Sequence, residues 1–99
     1  MGKTFYSDYV SHALRFFCRC KDVPVSSPEA DRKNWMACRD AVATLSEAEQ
    51  EFIYRVYSHR QNVNDSVCAT SRVTGHSVDE LWHLVKTVER KVAENRGLI

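Results

Sequence analysis

Residues 70–97 read TSRVTGHSVDELWHLVKTVERKVAENRG, and the order of residue types predicts two helices joined by a tight turn. The first helix should end at Gly75, because glycine readily adopts the positive φ that a helix-ending turn requires. Ser77 and Glu80 have the S-x-x-E spacing of a capping box, which marks the first turn of a second helix. Gly97 is placed to end that helix, which is therefore long.

Apolar residues in this second helix recur every three or four positions, as in a helix with one buried face. At 100° per residue, five of them fall within one stripe less than about 90° wide. This predicted core stripe consists of Val78, Leu81, Val85, Val88 and Val92. The opposite face should be exposed to solvent. It carries Asp79, His83, Lys86, Thr87 and Arg90.

A first helix is predicted from about Thr4 or Ser7 to Cys20. Its buried stripe consists of Tyr6, Val10, Ala13, Leu14 and Phe17. Three more aromatic residues widen this face beyond what one partner helix covers. They are Phe5, Tyr9 and Phe16.

A loop with two prolines precedes the second predicted helix. Ser26 or Ser27 should cap this helix, and Pro28 is tolerated in its first turn. Its apolar face consists of Trp35, Cys38, Val42 and Leu45.

The third and fourth helices are predicted from their caps. Ser46 and Glu49 form another capping box, so a helix should run over about residues 47–57. Its inward face consists of Phe52, Ile53, Val56 and Tyr57. A polar loop follows, and Asn64 or Asp65 should cap the short helix that ends at the glycine turn.

The chain is therefore predicted to be an all-α domain of five helices over residues 1–99. Scarce glycine and proline (3 and 2) and a hydrophobic fraction of 43% favour a folded helical domain. A short helix, a glycine turn and a capped long helix follow the order of a helix-turn-helix. Residues 45–99 should form this part, and residues 1–44 a two-helix N-terminal extension.

The charge balance does not indicate a strongly basic nucleic-acid binder. The chain has 14 basic and 13 acidic residues, for a formal net charge of +1. A DNA-binding domain usually has a basic excess, because phosphate neutralisation supplies much of its affinity. No apolar run approaches the ~20 residues that cross a bilayer, and no signal-peptide core is present. We therefore expect a cytoplasmic protein that does not enter a membrane.

The cysteines and histidines predict no metal site, cofactor or catalytic site. No cysteine pair has the two-residue gap of a zinc or redox motif. These residues are Cys18, Cys20, Cys38 and Cys68. The histidines lie in four different segments without an H-E-x-x-H spacing. They are His12, His59, His76 and His83. Buried free thiols and a non-enzymatic protein are expected, with a Cys/His metal site as the less favoured alternative.

Two segments resemble region four of bacterial sigma factors. LSEAEQEFIYRVY at residues 45–57 resembles its opening helix, in which a leucine, a Ser or Pro cap and spaced glutamates precede an apolar helix ending in an aromatic residue. TGHSVDELWHLVKTVERKVA at residues 74–93 resembles its turn and recognition helix. The resemblance covers about residues 45–96. It implies a small transcription regulator of a bacterium, a phage or a mobile element.

This resemblance implies that the fifth helix enters the major groove of double-stranded DNA. The implied contacts with base edges are Ser77, Asp79, Trp82, His83 and Lys86. The implied contacts with phosphates are Lys86, Arg90, Lys91, Arg72 and Arg60.

An alternative hypothesis keeps the helix-turn-helix scaffold without DNA recognition. Acidic residues at the start of the fifth helix and surplus apolar residues favour a protein-interaction module, such as an adaptor or inhibitor that acts on RNA polymerase or another regulator. Either the N-terminal helices or a second copy of the chain should cover the surplus apolar side chains. The predicted interface consists of Phe5, Tyr9, Phe16, Trp82 and Leu84.

Overall fold

The computed structural model describes residues 5–20, 22–58 and 63–99, and no strand occurs in these ranges. The prediction of an all-α chain with five helices is confirmed for this part of the chain. The helices are α1 (Ser7–Arg19), α2 (Glu29–Ala43), α3 (Glu47–Ser58), α4 (Val63–Thr74) and α5 (Val78–Asn95).

The helix α5 lies at the centre of the packing. It contacts α2 most extensively and also packs against α1, α3 and α4. The predicted apolar stripes of α1, α2, α3 and α5 pack into one shared core. The largest apolar side chains that are almost completely buried there are Tyr57, Leu14, Ile53, Val10, Val56, Val67, Val85, Val88 and Val92.

The predicted caps form at the starts of α3 and α5. The Ser46 amide donates to Glu49 Oε1 at 3.0 Å, and the Glu49 amide donates to Ser46 Oγ at 3.2 Å, so this capping box is complete. At α5 the Glu80 amide donates to Ser77 Oγ at 3.1 Å. The Glu80 carboxylate does not return to the Ser77 amide. It pairs instead with His76 Nδ1 at 3.2 Å.

Glycines end α4 and α5 as the sequence predicts. Gly75 has φ of 77° and Gly97 has φ of 73°, a backbone conformation that other residues rarely adopt. The Leu98 amide donates to the Ala93 carbonyl at 2.8 Å, and the Leu98 side chain packs against the core. This bond and apolar contact are those of a Schellman cap.

Two predicted helix starts are wrong. The N-cap of α2 is Pro28, not Ser26 or Ser27, and no side chain caps this helix. The helix α4 begins at Val63, so Asn64 and Asp65 lie inside it rather than before it. Val63 packs partly against the core, and this burial favours a helix in a segment whose polar residues favour a loop. Thr4, the earlier predicted start of α1, lies outside the described residues.

Trp35 connects α2 with α1 in the core. It is only 6% exposed, and its indole Nε1 donates to the Cys20 carbonyl at 3.1 Å. Its ring centroid lies 5.4 Å from that of Phe17, which in turn lies 6.0 Å from the Tyr54 ring on α3. The Arg39 guanidinium lies 5.7 Å from the Trp35 ring on its outer side. The Phe17 ring of α1 therefore contacts aromatic rings of both α2 and α3.

Candidate nucleic-acid interface

The side of α5 that faces away from the core carries the residues predicted to contact DNA. We define this outer face by residues that share about a third of the helix circumference. They are Asp79, Glu80, His83, Lys86, Thr87, Arg90 and Glu94. All are exposed except Lys86 and Thr87, which are half-buried. The outer face is thus open to a partner along the whole helix.

The start of the outer face is acidic. Asp79 and Glu80 lie in the first turn of α5, where the helix dipole favours negative charge. Ser77 is exposed and its hydroxyl is engaged as the helix cap. His83 follows one turn later and is exposed. The first turn of α5 therefore carries two carboxylates and a capping hydroxyl and no cation.

Two of the five predicted phosphate contacts already have partners inside the chain. Arg90 Nε donates to Glu94 Oε1 at 3.2 Å, and Lys91 Nζ donates to Thr44 Oγ1 at 2.6 Å. Among the residues that the structure describes, Lys86 forms no ion pair, and neither does the exposed Arg72 of α4. Arg60 lies outside the described ranges.

The apolar residues predicted as an interface divide into two groups. Phe16, Trp82 and Leu84 are half-buried and pack against the core, so the chain itself covers much of their surface. Phe5 is 82% exposed and Tyr9 45% exposed near the start of α1. The Tyr9 hydroxyl donates to Asn34 Oδ1 at 3.1 Å.

A groove runs between α5 and the corner that joins α2 to α3. It has a volume of about 270 Å³. Its walls are formed by Thr44, Leu45, Glu49, Glu80, His83, Leu84, Thr87 and Lys91. Its apolar surface comes from the two leucines, and its charged groups come from the acidic first turns of α3 and α5 and from Lys91. The groove is therefore amphipathic and adjoins the outer face.

Glu89 is a buried carboxylate that the sequence did not single out. It is 6% exposed and accepts hydrogen bonds from Ser7 Oγ at 3.0 Å, Ser11 Oγ at 3.1 Å and Tyr57 Oη at 3.2 Å. Burial raises the pKa of the Tyr57 phenol well above its usual range, and the nearby Glu89 carboxylate raises it further. Tyr57 therefore remains a hydrogen-bond donor at all ordinary pH values. This cluster holds α1 and α3 to the inner side of α5.

The cysteines lie in no metal-binding cluster among the residues that the structure describes. The groups of histidine, cysteine and carboxylate side chains in residues 5–20, 22–58 and 63–99 include none with three members placed to hold a metal ion. Burial raises the pKa of the Cys18 and Cys38 thiols to about 12. Because the thiolate is the reactive form, both thiols should be inert at neutral pH.

Cysteine reactivity gives a direct check of this core. Cys18 and Cys38 should react with iodoacetamide at pH 8 at least about 100-fold more slowly in the folded protein than in guanidinium chloride, because folding raises the pKa of both thiols to about 12 and also buries Cys38. Mass spectrometry of peptides after timed labelling measures the rates. The half-buried Cys68 is the internal comparison. Labelling of Cys38 as fast as Cys68 would contradict the placement of α2.

No family model, curated protein or solved structure matches this chain. Within the described ranges, no helix combines the length and the hydropathy of a membrane-spanning segment.

Proposed function

We propose that the chain is a non-enzymatic, DNA-binding transcription regulator of the bacterial or phage cytoplasm. In this proposal α3, α4 and α5 act as a sigma-region-four-like helix-turn-helix, and α1 and α2 are an N-terminal extension. The supporting observation is the open first half of α5. Ser77, Asp79 and His83 are exposed immediately after the turn that follows α4. A helix that enters a major groove needs an uncovered N-terminal half after such a turn.

The cations of this region can contact phosphates without breaking a strong ion pair inside the chain. Lys86 and Arg72 have no ion-pair partner among the described residues. Arg90 pairs with Glu94, but both are exposed, and such a pair contributes at most about 1 kcal/mol. Arg90 can therefore exchange this carboxylate for a DNA phosphate. In this arrangement the base edges would meet the exposed residues at the start of α5.

Salt-dependent DNA binding tests the proposal. Lys86→Ala and Arg90→Ala should each weaken binding to promoter-length duplex DNA. Each should also make the negative slope of log K against log salt shallower by about one. Fluorescence anisotropy with labelled duplex at several salt concentrations measures both quantities. Unchanged affinity and slope in the two variants would show that α5 does not contact DNA.

The matched control is Lys33→Ala. Lys33 is an exposed cation on α2 that pairs with Glu29 at 3.4 Å, as Arg90 pairs with Glu94 on α5. The control removes one positive charge and one i, i+4 pair on α2, outside the outer face of α5. Its affinity should remain close to that of the unaltered protein. An equal loss in the control would indicate a general charge effect and not a site on α5.

The acidity of the outer face favours a second candidate, a protein-interaction module. Its three carboxylates Asp79, Glu80 and Glu94 outnumber its two cations, which is unfavourable next to DNA phosphates. A protein partner such as RNA polymerase would not impose this penalty. Binding to purified RNA polymerase in size-exclusion chromatography, with no affinity for duplex DNA at low salt, would establish this candidate over the first.

A further inference from the structure

One row of side chains on α5 has the spacing of a helix–helix contact. Glu80, Leu84, Thr87 and Lys91 follow each other at intervals of four, three and four residues. At 100° and 1.5 Å per residue they stay within a sector of about 60° over about 16 Å. Residues with this spacing pack against a neighbouring helix. We name this row the α5 strip.

The α5 strip is only partly covered in the single chain. Glu80 is exposed, and the other three residues are half-buried. All four line the groove beside the α2–α3 corner, so a helix laid along the strip would also contact Leu45. The strip thus offers a neighbouring helix an apolar centre with a charged group at each end.

The charges along the strip are complementary to those of a second, antiparallel copy of the strip. A carboxylate stands at the N-terminal end and an ammonium group at the C-terminal end, with Leu84 and Thr87 between them. A twofold axis through the middle places Glu80 of one copy opposite Lys91 of the other, and Leu84 opposite Thr87. A symmetric dimer requires this reciprocity: if residue i of one copy contacts residue j of the other, then residue j of the first copy contacts residue i of the second. We infer that the α5 strip is the interface of a homodimer with antiparallel α5 helices.

Both charged groups have hydrogen-bonding capacity left for this contact. Lys91 uses one of its three N–H donors on Thr44, and Glu80 uses only Oε2 on His76. The apolar contribution is small, because only Leu45 and Leu84 of each copy take part. We therefore expect a weak dimer with a dissociation constant on the order of 10–100 µM.

The dimer would exclude DNA, a consequence that rests on the proposed function. Packed helices lie about 8–10 Å apart, so the second α5 would cover the side of the helix next to His83. The major groove admits one helix, not a pair side by side. DNA binding should therefore require the monomer, and a high protein concentration should oppose it.

Charge reversal tests the interface without any DNA. Glu80→Lys and Lys91→Glu should each raise the dissociation constant at least about tenfold, because each places two like-charge contacts in the symmetric dimer. The double variant should restore dimerisation to within about threefold of the unaltered protein. Sedimentation equilibrium at low salt measures the constants, and circular dichroism checks that each variant is folded.

Glu51→Lys is the matched control, since it reverses the charge of an exposed glutamate and breaks an i, i+4 pair, with Arg55 at 3.1 Å on α3. It should dimerise like the unaltered protein. A monomer up to about 1 mM, ten times the weakest expected constant, overturns the inference. A dimer whose dissociation constant is unchanged by both single reversals also overturns it.

In a separate measurement, sedimentation of the protein with duplex DNA should show one chain per bound site. A dimer joined through the strip while bound to DNA overturns the exclusion, whereas absence of DNA binding bears on the proposed function and leaves the dimer result standing.

Discussion

Glu89→Ala is expected to lower the free energy of unfolding by about 3 kcal/mol. The substitution leaves the hydroxyls of Ser7, Ser11 and Tyr57 without their shared acceptor and opens a cavity beside α5. Each buried donor that loses its partner costs about 1–3 kcal/mol, and solvent entering the cavity recovers part of this. For a chain of this size the whole folding free energy is only about 5–15 kcal/mol. Urea unfolding followed by circular dichroism measures the change.

Glu94→Ala is the matched control for this loss. Glu94 lies on the same helix but is exposed, and its pair with Arg90 should contribute less than about 1 kcal/mol. Glu89→Gln keeps the shape of the side chain and one carbonyl acceptor, so it should lie between the two. A double-mutant cycle of Glu89→Gln with Tyr57→Phe should show a coupling free energy of at least about 0.5 kcal/mol. Equal stability of the two alanine variants would contradict the buried cluster.

Trp35→Ala is expected to cost about 3–5 kcal/mol, the range for truncation of a large aromatic residue in a core. The indole is 6% exposed, contacts the Phe17 ring and donates to the Cys20 carbonyl. The melting temperature should fall by at least about 12 °C, since 1 kcal/mol corresponds to 4–8 °C in a domain of this size. Differential scanning calorimetry measures this shift.

The other tryptophan provides the comparison. Trp82 is half-buried at the edge of the core, so Trp82→Ala should cost clearly less than Trp35→Ala. Trp35→Phe retains a ring next to Phe17 but loses the bond to Cys20, and its cost should be intermediate. Reversal of the order of the two alanine variants would mean that the helices around Trp35 are packed differently.

The sequence predicts the helices best where a local signal marks their ends. The S-x-x-E spacing from Ser46 and the glycines after α4 and α5 each act within a few residues, and the structure places all three boundaries as predicted. The start of α4 was mispredicted because a tertiary contact decides it. Val63 is held against the core, and its polar neighbours then continue the helix instead of capping it.

The candidate site shows the same division between local and distant causes. Periodicity alone places Asp79 and His83 on the exposed side of α5. Periodicity does not reveal that Lys91 is bound to Thr44, 47 residues away in the chain. Periodicity also does not predict the burial of Glu89, which lies about 80° from Leu81 and therefore at the margin of the apolar stripe. A carboxylate at such a margin normally turns towards solvent, and only three distant hydroxyls explain why this one does not.

The bond from Ser7 to Glu89 joins positions 82 residues apart and so ties α1 to α5. During synthesis α1 leaves the ribosome well before its acceptor, because Glu89 is translated 82 residues after Ser7. The part of α1 that packs against α5 therefore stays uncovered until α5 has been translated, although α1 also packs against α2 and α3. Exposed apolar surface of this kind is aggregation-prone in incomplete chains. Nascent chains stalled before residue 78 should consequently depend on chaperones, whereas the released protein closes its core in one step.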